Sequence, residues 1–184
     1  MRNKIFDNVK QLRDYLSQRL GAITYGYRGT KIIATSGGFD PLHVGHVRCI
    51  NSSKRAVEVS CSQKGDTSTG ASLLVVIVNG DEFLRRKKGF VFMPMRERME
   101  IISSLSAVDF VVPWCDDSQT VIGAISELKP NYFTKGGYRT GKSNVPEFDV
   151  CQQFNCEIVF NVGGKKIQSS SDLVEKVAQF HDTQ

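Results

Sequence analysis

The chain has 184 residues, 24 of them Lys or Arg against 19 Asp or Glu, for a net charge of +5. This length suits one domain, which can bury roughly 70% of its unfolded surface without a disulfide or metal staple. No apolar run approaches the ~20 residues of a membrane span, and the charged opening MRNKIFDNVKQLRDYL lacks a signal-peptide core, so a cytoplasmic protein with no membrane contact is expected.

The elements follow in chain order. Ile5, Phe6, Val9, Leu12, Leu16 and Leu20 recur at helical spacing, which predicts an N-terminal helical extension over residues 1–28, with Gly21 as its stop. KIIATSG (31–37) reads as a strand ending in glycine, and 44–57 as a helix. Residues 60–72, polar and rich in Gly, Ser and Thr, read as a loop insertion. LLVVIVN (73–79) has no polar alternation, the mark of a strand buried on both faces of a parallel sheet. The remaining rhythm is helix 95–105, strand 108–113, a helix capped by Asp117 or Ser118 and ending at 128, strand 131–134, helix 146–154, strand 156–162 and helix 169–180. Strands alternating with helices predict an α/β fold, a Rossmann-like doubly wound parallel sheet of five strands, whose ligands bind at the strands' carboxyl ends.

The five cysteines (49, 61, 115, 151 and 156) form no CxxC pair and read as reduced buried thiols. Three histidines are too few to build a zinc site beside them.

The chemistry concentrates in TSGGFDPLHVGHV (35–47), which leaves the first strand and opens the first long helix. Gly37 and Gly38 let the backbone approach a ligand. The helix N-terminus should offer free N–H groups to an anion. His43 and His46, three apart, can point the same way and donate to a phosphate.

At these residues the chain resembles the cytidylyltransferase-like nucleotidyltransferase superfamily, whose signature is a G-x-F-D-x-x-H-x-G-H turn. The resemblance continues in order through VNGD (78–81), RRKKG (85–89), which is similar to the family's lysine-containing loop, PMRERM (94–99), AVDFVV (107–112), KGG (135–137) and SSS (169–171), so that 29–184 is expected to be the catalytic domain. Within the superfamily, KPNYFTKGG is most similar to bacterial D-glycero-D-manno-heptose 1-phosphate adenylyltransferases. Glycerol-3-phosphate and ethanolamine-phosphate cytidylyltransferases share the same frame.

The resemblance implies in-line attack by a phosphate oxygen on the α-phosphate of a nucleoside triphosphate, ATP or CTP, with release of pyrophosphate. His43, His46, Lys87, Lys88 and Arg98 would act on the phosphates. Gly37, Gly38, Phe39, Asp40, Gly45 and Asp81 would shape the nucleotide site. Lys135, Gly136 and Gly137 would lie by the base and ribose, and Ser169, Ser170 and Ser171 by the β- and γ-phosphates. Mg²⁺ would ride on the phosphates, with Asp40 as a candidate for orienting the metal or the motif backbone. The partners implied are the triphosphate, a phosphorylated small-molecule acceptor and a second copy of the chain in a homodimer.

Two departures bear on specificity. The stretch before the last helix, NVGGKKIQSSS, lacks the Arg-Thr of many CTP enzymes, so a basic contact would fall to Lys165 or Lys166. After KGG, Tyr138 and Arg139 stand where heptose enzymes show an acidic residue. A nucleic-acid-binding role is disfavoured because the charge is modest and aromatics do not interleave with basic residues. A non-catalytic nucleotide sensor is disfavoured by the intact histidine, lysine and serine motifs.

Overall fold

The computed structural model describes residues 4–20, 30–65, 71–137 and 142–181. Five parallel strands form one sheet: β1 (Lys31–Gly37), β2 (Ser72–Asn79), β3 (Phe110–Trp114), β4 (Tyr132–Thr134) and β5 (Glu157–Val159). Their spatial order is β3-β2-β1-β4-β5, with every neighbouring pair parallel. Helices α1 (Val9–Leu20), α2 (Val44–Gln63), α3 (Asp81–Lys88), α4 (Met95–Ser103), α5 (Ile122–Leu128), α6 (Phe148–Gln153) and α7 (Ser170–His181) connect and flank them. The fold class is therefore the Rossmann-like α/β sheet that the alternation predicted. Strand order reverses between β1 and β4, so the crevice outside their carboxyl ends is where a ligand fits.

Strand alternation divides the core in two. Ile32, Ala34, Val75, Ile77, Val112 and Phe133 face α1, α5 and α6. Ile33, Leu74, Val76, Val78 and Val111 face α2 and α4 through Ile50, Val57, Met99 and Ile102. Both faces of β2 are thus covered, which accounts for its unbroken apolar run.

Several boundaries differ from the expectations. α2 runs to Gln63, because Ile50, Ser53, Val57 and Cys61 keep its buried stripe going into the segment read as a loop. The insertion shrinks accordingly, and residues 66–70 lie outside the described residues. The basic run 85–88 is helical rather than a loop: Asp81 and Glu82 occupy the first turn of α3, the four cations its last, and Gly89 at φ 83° ends it. This charge order complements the helix dipole. Neither Asp117 nor Ser118 caps a helix, since Ser118 bonds locally to Asp116 and α5 starts at Ile122. The last strand is only three residues long. Cys115 is exposed and Cys49 half-buried, while Cys61, Cys151 and Cys156 are buried.

The N-terminal segment is woven into the core. Val9, Leu12 and Leu16 are buried in the α5 and α6 layer. Phe6, Tyr15 and Phe110 form an aromatic cluster with centroids 5.2–5.8 Å apart. Phe6 N–H donates to Val111 O at 3.0 Å, and Val111 N–H donates to Lys4 O at 2.8 Å. The boundary expected at residue 28 lies outside the described residues. No described helix is long and apolar enough to cross a membrane.

Candidate active site

A cleft of about 760 Å³ opens over the carboxyl ends of β1, β2 and β4. Small-molecule sites commonly have volumes of this order. It gathers Gly37, Gly38, Phe39, His43, Gly45, His46, Lys87 and Lys88 with Lys135, Gly136, Gly137 and Ser169–Ser171 from the far end of the chain.

The two histidines build one device. His43 caps α2, and its Nδ1 accepts from Gly45 N–H at 3.1 Å. His46 Nδ1 in turn accepts from His43 N–H at 3.4 Å. The rings stack 3.7 Å apart, and His46 meets the edge of Phe39. An imidazole that accepts at Nδ1 carries its proton at Nε2 when neutral, so each ring keeps one outward donor.

Both rings resist protonation. Burial and then the Lys88 ammonium lower the pKa of His43, with Lys166 adding to the effect and Asp172 opposing it. Burial, reinforced by His43 and Lys88, pushes His46 down to about 3. Near neutral pH these are hydrogen-bond donors without charge.

Gly45 has a steric reason to be glycine. A Cβ there would lie 3.0–3.1 Å from His43 Cε1 and Nδ1, the ring its own N–H orients. The free first-turn N–H groups expected of α2 are largely engaged: those of His46 and Val47 bond to His43 O, and that of Gly45 to the His43 ring. The outward donors are the imidazoles.

Cations surround them. Lys88 is half-buried, and its Nζ donates to Asp40 O at 3.2 Å. Burial lowers its pKa, Asp40 opposes that, and Lys87 and Arg98 add to the lowering. Lys87 is exposed and lies over the Phe83 ring. Lys165 and Lys166 also line the cleft. Across from them, Ser169 Oγ accepts from Asp172 N–H at 3.1 Å, capping α7, while Ser170 Oγ donates to Pro41 O at 3.0 Å. The Ser169 hydroxyl also hydrogen-bonds the Asp172 carboxylate, which lowers the pKa of that acid.

Three predicted residues stand behind the cleft instead of in it. Arg98 is 1% exposed and does not line it. Its guanidinium donates to Met93 O, Gly38 O, Asn79 O and Asp81 Oδ1 at 2.5–2.9 Å. The expected phosphate contact is thus replaced by a clamp on the ends of β1 and β2. Asp81 is the clamp's counter-charge, at 2.6 Å. Asp40 is fully buried, and its two oxygens accept from Phe92 and Met93 N–H at 2.8 and 2.7 Å. That geometry orients the backbone of residues 92 and 93. Among the described residues no three His, Cys, Asp or Glu side chains converge as a metal site.

Other cleft residues escaped the sequence reading. Gln119, Thr120 and Asn144 line it with Glu147, which is 4% exposed and 3.2 Å from Lys135 Nζ. Glu147 Oε1 also accepts from Val121 N–H at 3.3 Å. An acid twelve positions from its lysine leaves no periodic signal. Cys49 lines the cleft as a thiol whose pKa burial raises, against the Thr35 hydrogen bond and Lys135. Tyr138 and Arg139 lie outside the described residues.

A family model described as cytidylyltransferase-like matches residues 34–181. Bifunctional protein HldE of Alcanivorax borkumensis is 33% identical over 140 residues, 75% of this chain and 24% of that protein. HldE of Geotalea uraniireducens is 33% identical over 154 residues, 82% of this chain and 27% of that protein. The chain therefore spans about a quarter of the length of the curated relatives it matches. Among solved structures, a lipopolysaccharide core biosynthesis protein from Thermoplasma volcanium shares the fold, with a TM-score of 0.54 at 22% identity over 74% of this chain and 98% of that one.

Proposed function

Because the chain belongs to the cytidylyltransferase-like family, we propose that it is a nucleotidyltransferase joining ATP to a sugar 1-phosphate, D-glycero-D-manno-heptose 1-phosphate, with release of pyrophosphate. The observation that carries the reading is the histidine pair. Two neutral rings, each tied inward at Nδ1, present Nε2–H donors where the strand order reverses.

An oxygen of the acceptor phosphate attacks the α-phosphorus in line as the bond to the β-phosphate oxygen breaks. No covalent enzyme intermediate is needed, so the protein's work is orientation and charge stabilisation. His43 and His46 donate to the α/β-phosphate oxygens. Neutral donors at these atoms do not titrate as charge develops. Lys87, Lys88, Lys165 and Lys166 balance the phosphate charge, and Ser169–Ser171 bind the far phosphates by hydroxyl and backbone N–H. Gly136 and Gly137 leave room for the nucleoside. Arg98, Asp81 and Asp40 hold this array in place without touching substrate.

Mg²⁺ would ride on the nucleotide's phosphates with waters as its other ligands; among the described residues no three His, Cys, Asp or Glu side chains converge on an ion. The HldE relatives and the KPNYFTKGG stretch support the heptose acceptor, and the missing Arg-Thr before α7 supports ATP over CTP. A homodimer, with no nucleic-acid partner, completes the reading.

The test is pyrophosphate release from four nucleoside triphosphates against heptose 1-phosphate, glycerol 3-phosphate and ethanolamine phosphate. The highest kcat/KM is expected for ATP with heptose 1-phosphate. A preference for CTP with glycerol 3-phosphate or ethanolamine phosphate would replace the substrates and keep the reaction. Failure to release pyrophosphate with any of the acceptors would refute the enzyme.

A further inference from the structure

The cleft has a second end whose chemistry is opposite to that of the phosphate end. Ser36, Asn79 and Lys135 continue the alternation of Ala34, Ile77 and Phe133, so they leave the sheet on the α5 and α6 side. Thr120, ahead of α5, and Glu147, at the N-cap of α6, line the cleft with them. Asn79, Lys135 and Glu147 are 7%, 6% and 4% exposed.

Charge here is balanced. Glu147 Oε2 lies 3.2 Å from Lys135 Nζ. Its carboxylate disfavours a second anion, in contrast with the lysines at the histidine end. Two acceptors at this end go unmet. Asn79 Oδ1 and Glu147 Oε2 are both buried without a hydrogen-bond donor. The lysine attracts Oε2 by charge, but the contact lacks hydrogen-bond geometry. Buried acceptors left without donors are uncommon and unfavourable, and each calls for an explanation. Two of them on one cleft call for O–H groups. A phosphate dianion offers only acceptors, and an apolar group offers nothing.

We propose that Asn79 and Glu147 form a hydroxyl-reading subsite that receives O–H groups of a polyhydroxylated ring. The inference deepens the nucleotidyltransferase reading and rests on it for the identity of the ligand. Two rings share this chemistry, the sugar of the acceptor and the ribose of the nucleotide. Rotation about the soft terminal torsion of either side chain brings its oxygen to such a ligand.

The experiment is calorimetry on the whole chain with a non-hydrolysable triphosphate analogue and, separately, with the sugar phosphate. Asn79→Leu removes an acceptor that has no protein donor, so the melting temperature should hold or rise. Affinity for one of the two ligands should fall about tenfold, as for one lost hydrogen bond, and Asn79→Asp, which keeps an oxygen there, should restore part of it. Loss confined to the sugar phosphate assigns the acceptor ring, and loss confined to the triphosphate assigns the ribose; both outcomes support the subsite. Unchanged affinity for both ligands would assign the oxygens to buried water and overturn it. A fall in both affinities together with a lower melting temperature would assign Asn79 a structural role and also overturn it. A wild-type chain that binds both ligands yet releases no pyrophosphate with any acceptor would sink the functional reading, while the affinity loss would still decide the subsite. Binding of neither ligand by the wild type would overturn both.

Discussion

The turn that carries the histidines and the buried clamp behind it use polar side chains in opposite ways. His43 and His46 direct one nitrogen inward and keep the other for the cleft. Arg98 and Asp40 direct everything inward: every Arg98 nitrogen donates to protein, and both Asp40 oxygens accept from the backbone. The contrast teaches that a charged residue in a functional motif can serve by shaping the backbone that displays its neighbours. Removing a displayed group should cost rate with the fold intact. Removing a clamp residue should cost the fold first.

The largest effect should follow Arg98→Met. It strands the Gly38 and Asn79 carbonyls and the Asp81 carboxylate, and breaking such a buried pair typically costs about 3–5 kcal/mol. Urea unfolding reads this directly, and a variant as stable as the parent would erase the distinction between clamp and display. His46→Ala should come next, lowering kcat by about 10²–10³ for one lost oriented donor, with circular dichroism and melting close to the parent's. Gly45→Ala should lower kcat by about tenfold, the scale of a 1.4 kcal/mol displacement of the His43 ring that a Cβ would contact. Equal activity in this variant would show that the ring's position is not critical.

Smallest near neutral pH, and growing only toward acid, is an effect on stability. His46 takes up its proton near the ordinary 6.5 when unfolded but only at about 3 when folded. The unfolded state therefore binds more protons across that window, so stability is full above about 6.5 and declines as the pH falls toward about 3. Melting temperatures of the parent and of His46→Gln should lie close above the window and separate as the pH falls through it, because only the parent has a buried ring to protonate. Parallel curves would mean that the ring is not held neutral by the fold.

The sheet and the histidine turn were legible because both are local signals: an unbroken apolar strand, then glycines, then a helix start. The direction in which a side chain points was not. The PMRERM helix start places Arg98 near the site, but only the packing of α4 against β2 and β3 turns it away from the cleft. The run 85–88 looked like a loop because four cations in a row suggest solvent, whereas Gly80 and Gly89 bracket a full helix between them. Glu147 was invisible for a different reason. Its partner Lys135 sits on another element, and nothing periodic joins the two.

The backbone pairing of residues 4–6 with Val111 has a consequence for the sheet's border. β3 is an outermost strand, and such strands offer unpaired N–H and C=O groups to any passing chain. Here the opening residues occupy part of that row, and the Phe6, Tyr15 and Phe110 rings cover the strand beside it. At the opposite border β5 is three residues long and carries the Lys64–Glu157 ion pair, a short and charged rim that discourages docking. A chain trimmed of residues 4–20 would bare the β3 rim together with the apolar patch that α1 covers, and its first failure should be self-association in solution, before any loss of the distant cleft.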